Sequence, residues 1–118
     1  MKKILIIEDD KDILDAIQII LERENFIVAT TTKGEETYRK IKIFHPDLIV
    51  LDVLISGNDG RTICKKLKSE KATKHIPVIM MSAHPSAVKE YKKYGGNDFL
   101  AKPFETNELL RTVRKHLQ

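Results

Sequence analysis

The polar side chains best suited to chemistry stand directly behind short apolar runs. Glu8, Asp9 and Asp10 follow the run ending at Ile7, Asp52 follows Leu51, Ser82 follows Met81 and Lys102 follows Ala101. An acid in such a place is often only a helix N-cap, and Asp10 or Asp12 can be read so. The set is harder to explain that way. If Glu8, Asp9 and Asp52 converged, unit charges about 4 Å apart would repel by roughly 4 kcal/mol at an effective dielectric near 20. A hard divalent cation would offset this. An all-oxygen donor set suits Mg²⁺, with Mn²⁺ as a substitute, better than Zn²⁺, which takes His and Cys. His45, His75, His84 and His116 show no ligand spacing and read as surface residues. Lys102 offers a compact, mobile positive charge able to reach an anion in the same pocket; the plainer reading is a solvated loop lysine.

The apolar runs that would position these residues are Ile4 to Ile7, Phe26 to Ala29, Leu48 to Leu51, Val78 to Met81 and Phe99 to Ala101. They are short and rich in β-branched residues, and each reads as a buried strand. Between them lie amphipathic stretches at about Lys11 to Glu24, Gly34 to Phe44, Arg61 to Lys68, Ser86 to Tyr94 and Thr106 to Leu117. The alternation is (βα)₅. Strands without polar alternation are covered on both faces, and parallel crossovers turn right-handed, which predicts a doubly wound α/β fold around a five-stranded parallel sheet. Ligands of such sheets collect beyond the carboxyl ends of the strands, where the polar residues stand.

The bulk properties bound the rest. A chain of 118 residues with 42% hydrophobic content is enough for one compact core, so residues 1–118 are read as a single domain. Met1 to Ile7 is too short and too charged for a signal peptide or a membrane span, and a soluble, cytoplasmic protein with no membrane partner is expected. The lone Cys64 has no intramolecular disulfide partner and reads as a small packed residue. The net charge of +4 comes from Lys and Arg scattered among Asp and Glu, so no direct nucleic-acid contact by this domain is expected.

Over its whole length the chain resembles the receiver domains of two-component response regulators, the chemotaxis-regulator type included. The acidic pair appears as I-I-E-D-D, and the phosphoacceptor signature as L-I-V-L-D-V-L-I-S-G-N-D-G, with Gly60 at the turn into the third helix. The hydroxyl motif appears as M-M-S-A-H and the lysine motif as F-L-A-K-P-F. Each alone is weak; their order, each behind its own strand, is specific. The resemblance implies a flavodoxin-like strand order 2-1-3-4-5, with Asp52 as phosphoacceptor for a phosphohistidine of a sensor histidine kinase or phosphotransfer protein. It implies Mg²⁺ on Asp9, Asp52 and the Leu54 carbonyl, with Glu8 acting through water. Phosphate would be bound by Ser82, Lys102 and the amides of Leu54 and Ala83. The labile acyl phosphate would hydrolyse slowly, so the domain is a signalling module rather than an enzyme in the usual sense. Its output would be conformational: Ser82 moves toward the phosphoryl group and Phe99 turns inward, read by a downstream effector or a C-terminal output domain, or through a phosphorylation-dependent dimer.

In the first helix the apolar set Ile13, Leu14, Ala16, Ile17, Ile19, Ile20 and Leu21 spans roughly 220°, wider than a core stripe of about 100°. One flank should therefore be exposed, and the resemblance makes Ile13, Ala16 and Ile19 or Ile20 the kinase-docking candidates. The chain also departs from the family. Ile55 and Ser56 replace a common Met-Pro, which leaves that loop less rigid. Ser82 replaces the more frequent threonine, and the interval to Phe99 is short, which trims the fourth helix or its loop. By the same resemblance, Leu54 and His84 occupy the family's variable positions that would tune phosphoryl lifetime. Two other classes remain: a phosphate-independent docking module of the same fold, and a Mg²⁺-dependent aspartyl phosphohydrolase. The latter would want a second acid where Leu54 stands.

Overall fold

A computed structural model of the chain describes residues 1–55 and 57–117. In chain order the elements are β1 (Lys3–Ile7), α1 (Lys11–Arg23), β2 (Ile27–Thr31), a 3₁₀ turn (Gly34–Glu36) leading into α2 (Thr37–Phe44), and β3 (Leu48–Asp52). The two-residue strands β4 (Leu54–Ile55) and β5 (Asn58–Asp59) follow, then α3 (Gly60–Ser69) and β6 (Val78–Ser82). The chain continues through α4 (Ala87–Glu90), a 3₁₀ turn (Tyr91–Tyr94), β7 (Asp98–Ala101) and α5 (Thr106–Lys115).

Five strands form one parallel sheet in the order β2-β1-β3-β6-β7. Counted within the sheet this is 2-1-3-4-5, the flavodoxin-like order expected. The strand order reverses between β1 and β3, where Glu8, Asp9 and Asp52 stand. Alternating side chains divide the core into two layers, as the two-residue strand period dictates. Leu5, Ile7, Ile49, Leu51, Val78 and Met80 pack with α2 and α3 through Ile41, Ile63, Cys64 and Leu67. On the other face Ile4, Ile6, Leu48, Val50, Ile79 and Met81 pack with α1 and α5 through Leu14, Ile17, Leu21, Leu109 and Val113. Cys64 is wholly buried, and desolvation pushes its thiol up to about 11.

Several expectations need correction. The second strand runs from Ile27 rather than Phe26 and is not fully buried; Ile27 is 40% exposed, because an edge strand has a neighbour on one side only. The fourth helix is a single α-helical turn followed by a 3₁₀ turn that ends at Gly95 with φ 89°. Periodicity did not reveal the β4–β5 ladder, since two-residue strands carry no pattern. Asp10, not Asp12, is the N-cap of α1: its carboxylate accepts from the amides of Asp12 and Ile13. No described helix is long and apolar enough to cross a membrane.

Candidate functional site

The carboxyl ends of β1, β3, β6 and β7 meet in one shallow basin. Glu8 and Asp52 each leave the end of a central strand and are buried, whereas Asp9 is exposed. One carboxylate oxygen from each of Glu8, Asp9 and Asp52 lies within 4.8 Å of the other two. Lys102 reaches in from the end of β7, where its amide donates to the Ser82 carbonyl at 2.9 Å. Its Nζ donates to Glu8 Oε1 and stands 3.3 Å from Asp52 Oδ2. The carboxylates expected to converge do so, and Lys102 is not the solvated loop lysine of the plainer reading.

The electrostatics follow from this crowding. Burial, reinforced by neighbouring Asp52, pushes the Glu8 carboxyl up to about 7 despite the opposing pull of Lys102. Burial also works against the Lys102 ammonium, but its bond to Glu8 and the fields of Asp52 and Glu8 outweigh this and raise its pKa. A single lysine thus offsets the acidic cluster incompletely. The donors are all hard carboxylate oxygens, and this set fits a hard divalent cation.

Around the cluster lies a cavity of about 340 Å³ lined by Asp52, Leu54, Ser82, Ala83, His84, Pro85 and Lys102. Ser82 is buried at its floor, and its Oγ accepts from the His84 amide at 2.9 Å; as a hydroxyl it keeps a proton to donate. Leu54 lies at the rim with its side chain 61% exposed. Gly60 packs so closely on the end of β3 that a Cβ there would lie 2.1 Å from the Asp52 carbonyl oxygen. Ser56, part of the departure from Met-Pro, lies outside the described residues.

The other candidates separate into two surfaces. Phe99 is half-buried and stacks on Tyr91, ring centroids 5.9 Å apart at 27°. Tyr91 escaped the sequence reading; its only signal was an aromatic within a trimmed helix. Ile13, Ala16 and Ile20 come together with Ile17, Ala83, Pro103 and Phe104 around an apolar groove of about 410 Å³ that ends at Lys102. Ile19, half exposed, is absent from that lining, because it sits on a different face of α1.

Two polar side-chain contacts centred on Arg61 and on Asp98 were also missed. Arg61 grips Asp59 through Nε and Nη2, holding that carboxyl below its ordinary range, and reaches Glu90 at 3.6 Å. His116, unlike the exposed His45, His75 and His84, is half-buried with Nε2 2.8 Å from Asp98. Its partner is 18 residues away in sequence, which no local pattern exposes.

The response regulator receiver domain family matches residues 4–114. Among curated proteins the chain is 35% identical over 122 residues to the alkaline phosphatase synthesis transcriptional regulatory protein PhoP of Bacillus subtilis (strain 168), covering 99% of this chain and 49% of the relative. It is 35% identical over 120 residues to the DNA-binding dual master transcriptional regulator RpaA of Synechocystis sp., covering 100% of this chain and 50% of that one. The chain thus spans about half the length of these relatives. Among solved structures, a response regulator from Chloroflexus aurantiacus superposes with a TM-score of 0.93 at 34% identity, covering 98% of this chain and 97% of that one.

Proposed function

The chain belongs to the response regulator receiver domain family and is a receiver domain of the two-component type, and we propose that Asp52 is its phosphoacceptor. The observation that carries this reading is the placement of Asp52 beside Glu8, Asp9 and Lys102 at the sheet's switch point.

An Asp52 carboxylate oxygen attacks the phosphorus of a phosphohistidine on a sensor kinase or phosphotransfer protein. A P–O bond forms, the P–N bond breaks, and the imidazole leaves with the electron pair. Asp9, Asp52 and the Leu54 carbonyl, with Glu8 acting through water, would hold Mg²⁺ or in its place Mn²⁺, and the cation would supply charge neutralisation. Lys102 shifts its ammonium from the carboxylates to a phosphoryl oxygen, the Ser82 hydroxyl donates to another, and the amides of Leu54 and Ala83 complete the cradle. Slow hydrolysis of the acyl phosphate ends the signal.

The signal leaves through Ser82. Its movement toward the phosphoryl group opens room for Phe99, which shifts inward from its stack on Tyr91, and the phosphoryl group favours a conformation already accessible. The groove of Ile13, Ala16 and Ile20 receives the helical partner that brings the phosphohistidine. Residues 1–118 act as one receiver domain in the cytoplasm, read by an effector protein or by an output domain of the kind that would fill the other half of the relatives' length. The phosphohydrolase alternative fails for want of an acid at Leu54, and the intact site disfavours a phosphate-independent module.

The test is intact mass after incubation with a small-molecule phosphodonor and Mg²⁺. Wild type gains one phosphoryl group, on Asp52, and loses the gain when Mg²⁺ is chelated. Labelling at another residue, or none under conditions that modify a related receiver, overturns the assignment.

A further inference from the structure

The loop from Asp52 to α3 bears Leu54, whose carbonyl the proposed function gives to the cation. Lacking the Met-Pro stiffener, this loop is held by other means. Leu54 pairs with Asp59 and Ile55 with Asn58 in the β4–β5 ladder. Ile55 is buried, and the Gly60 amide donates to the Val53 carbonyl at 2.7 Å.

The far strand of the ladder docks on the turn after β2. Asn58 Nδ2 donates to Glu35 Oε2 at 3.1 Å. Gly34 is buried against Asn58 so tightly that a Cβ on Gly34 would lie 2.6 Å from the Asn58 Cβ. The same turn is tied at its other end to the acidic pair. The Glu8 amide donates to the Thr31 carbonyl at 3.2 Å, while the Thr31 hydroxyl donates to Lys33 O at 3.2 Å or to Glu36 Oε2 at 3.3 Å. Residues 31–36 therefore touch both sides of the acidic cluster: the Glu8–Asp9 side through Thr31 and the Leu54 side through Asn58.

We infer that the contact of Asn58 with Gly34 and Glu35 is a brace that sets the spacing between the Glu8–Asp9 loop and the Leu54 backbone, a role that rests on the reading of Leu54 as a cation ligand. Asn58 and Glu35 are then positioning residues for divalent-cation binding. Mg²⁺ demands near-ideal octahedral geometry, so ligands on separate loops must be held at a fixed spacing. Groups that orient metal ligands from behind are worth about 10- to 100-fold in affinity.

The experiment is a Mg²⁺ titration at constant ionic strength, followed by amide NMR signals of the wild-type chain, Gly34→Ala, Asn58→Asp, Glu35→Gln and the double variant Asn58→Asp/Glu35→Gln. Gly34→Ala forces the two loops apart, and Asn58→Asp sets two carboxylates against each other. Each raises the half-saturating Mg²⁺ concentration about tenfold. The added negative charge of Asn58→Asp would by itself tighten cation binding, so weaker binding reports lost spacing. Glu35→Gln keeps an acceptor for Asn58 and stays near wild type. The double variant reverses donor and acceptor at unchanged net charge and returns to within about twofold of wild type. Asn58 and Glu35 lie near the surface, so their variants carry the test if Gly34→Ala does not fold.

Wild-type affinity in Asn58→Asp, or no recovery in the double variant, overturns the brace and leaves the phosphoacceptor reading intact. Failure of the wild type itself to take up Mg²⁺ removes the cation assignment and the brace with it.

Discussion

The half of the site built on β1 and β3 differs from the half built on β6, α4 and β7. In the first, Glu8 is 0% exposed and Asp52 6%, both at the ends of strands with a neighbour on each side. In the second, α4 is a single turn, β7 is an edge strand, and the Phe99–Tyr91 stack is half-buried. Converging charges need fixed geometry, and the centre of a sheet supplies it. Transmitting a signal needs an element that moves at small cost, and sparsely packed edges supply that. Under the proposed function, chemistry and transmission fall to separate halves that meet at Ser82 and Lys102.

The largest effect breaks the first half outright. Asp52→Asn removes the proposed nucleophile and is expected to abolish phosphoryl labelling in intact-mass measurements, while the circular dichroism spectrum stays that of the wild type. Next, Lys102→Met removes the positive group shared by Glu8 and Asp52. The initial rate of labelling falls by about 10²-fold, the typical loss for one transition-state donor, and a quench time course measures it. Phe99→Ala separates the halves. It costs about 2 kcal/mol in urea unfolding, less than a fully buried phenylalanine, and leaves the labelling rate near wild type. Phosphorylation-induced shifts of α4 amides should be strongly reduced in that variant. A rate loss as large as that of Lys102→Met would show that the two halves are not separable.

The smallest effects set the halves against each other in their response to pH. The folded-state pKa of Glu8, about 7, lies above its ordinary 4.5, so the folded chain holds a proton that the unfolded chain has released. With divalent cations chelated, this group's contribution to stability falls as pH rises from about 4.5 through about 7, and Glu8→Gln flattens that slope. Asp98 behaves oppositely. Burial raises its pKa, but His116, the Phe99 amide and Lys115 together bring it below its ordinary 3.8. Its contribution is present above that value and is lost as pH falls through the lower folded-state pKa. Asp98→Asn removes this part of the acid sensitivity. Urea midpoints from about pH 2.5 to about pH 8, wild type against each variant, measure both slopes.

Much of this was legible in the chain. The apolar runs and the polar residues behind them are local patterns, and their spacing alone located Glu8, Asp9, Asp52, Ser82 and Lys102. The α1 stripe was legible as a surplus of apolar residues, but not which of them would share a groove. Ile13, Ala16 and Ile20 do so because the loop carrying Pro103 and Phe104 covers that flank, and Ile19 stays outside it. The Asn58 to Glu35 bond spans 23 residues, and the Asp98 to His116 pair spans 18. Neither leaves a periodic trace.

The sequence by itself determined the fold class and which polar residues stand at the carboxyl ends of the strands, because strand and helix periods and the order of polar residues behind strands are properties of neighbouring positions. Tertiary structure alone decided how buried each charge is, and hence that Glu8 is driven toward neutrality while Asp9 stays at the surface. It also decided what holds the loop after Asp52. Where the sequence read that loop as slack for want of proline, long-range packing of Gly34 and Glu35 on Asn58 supplied a different restraint. Desolvation and cross-loop contact depend on which distant segments become neighbours, and that is settled only once the whole sheet has formed.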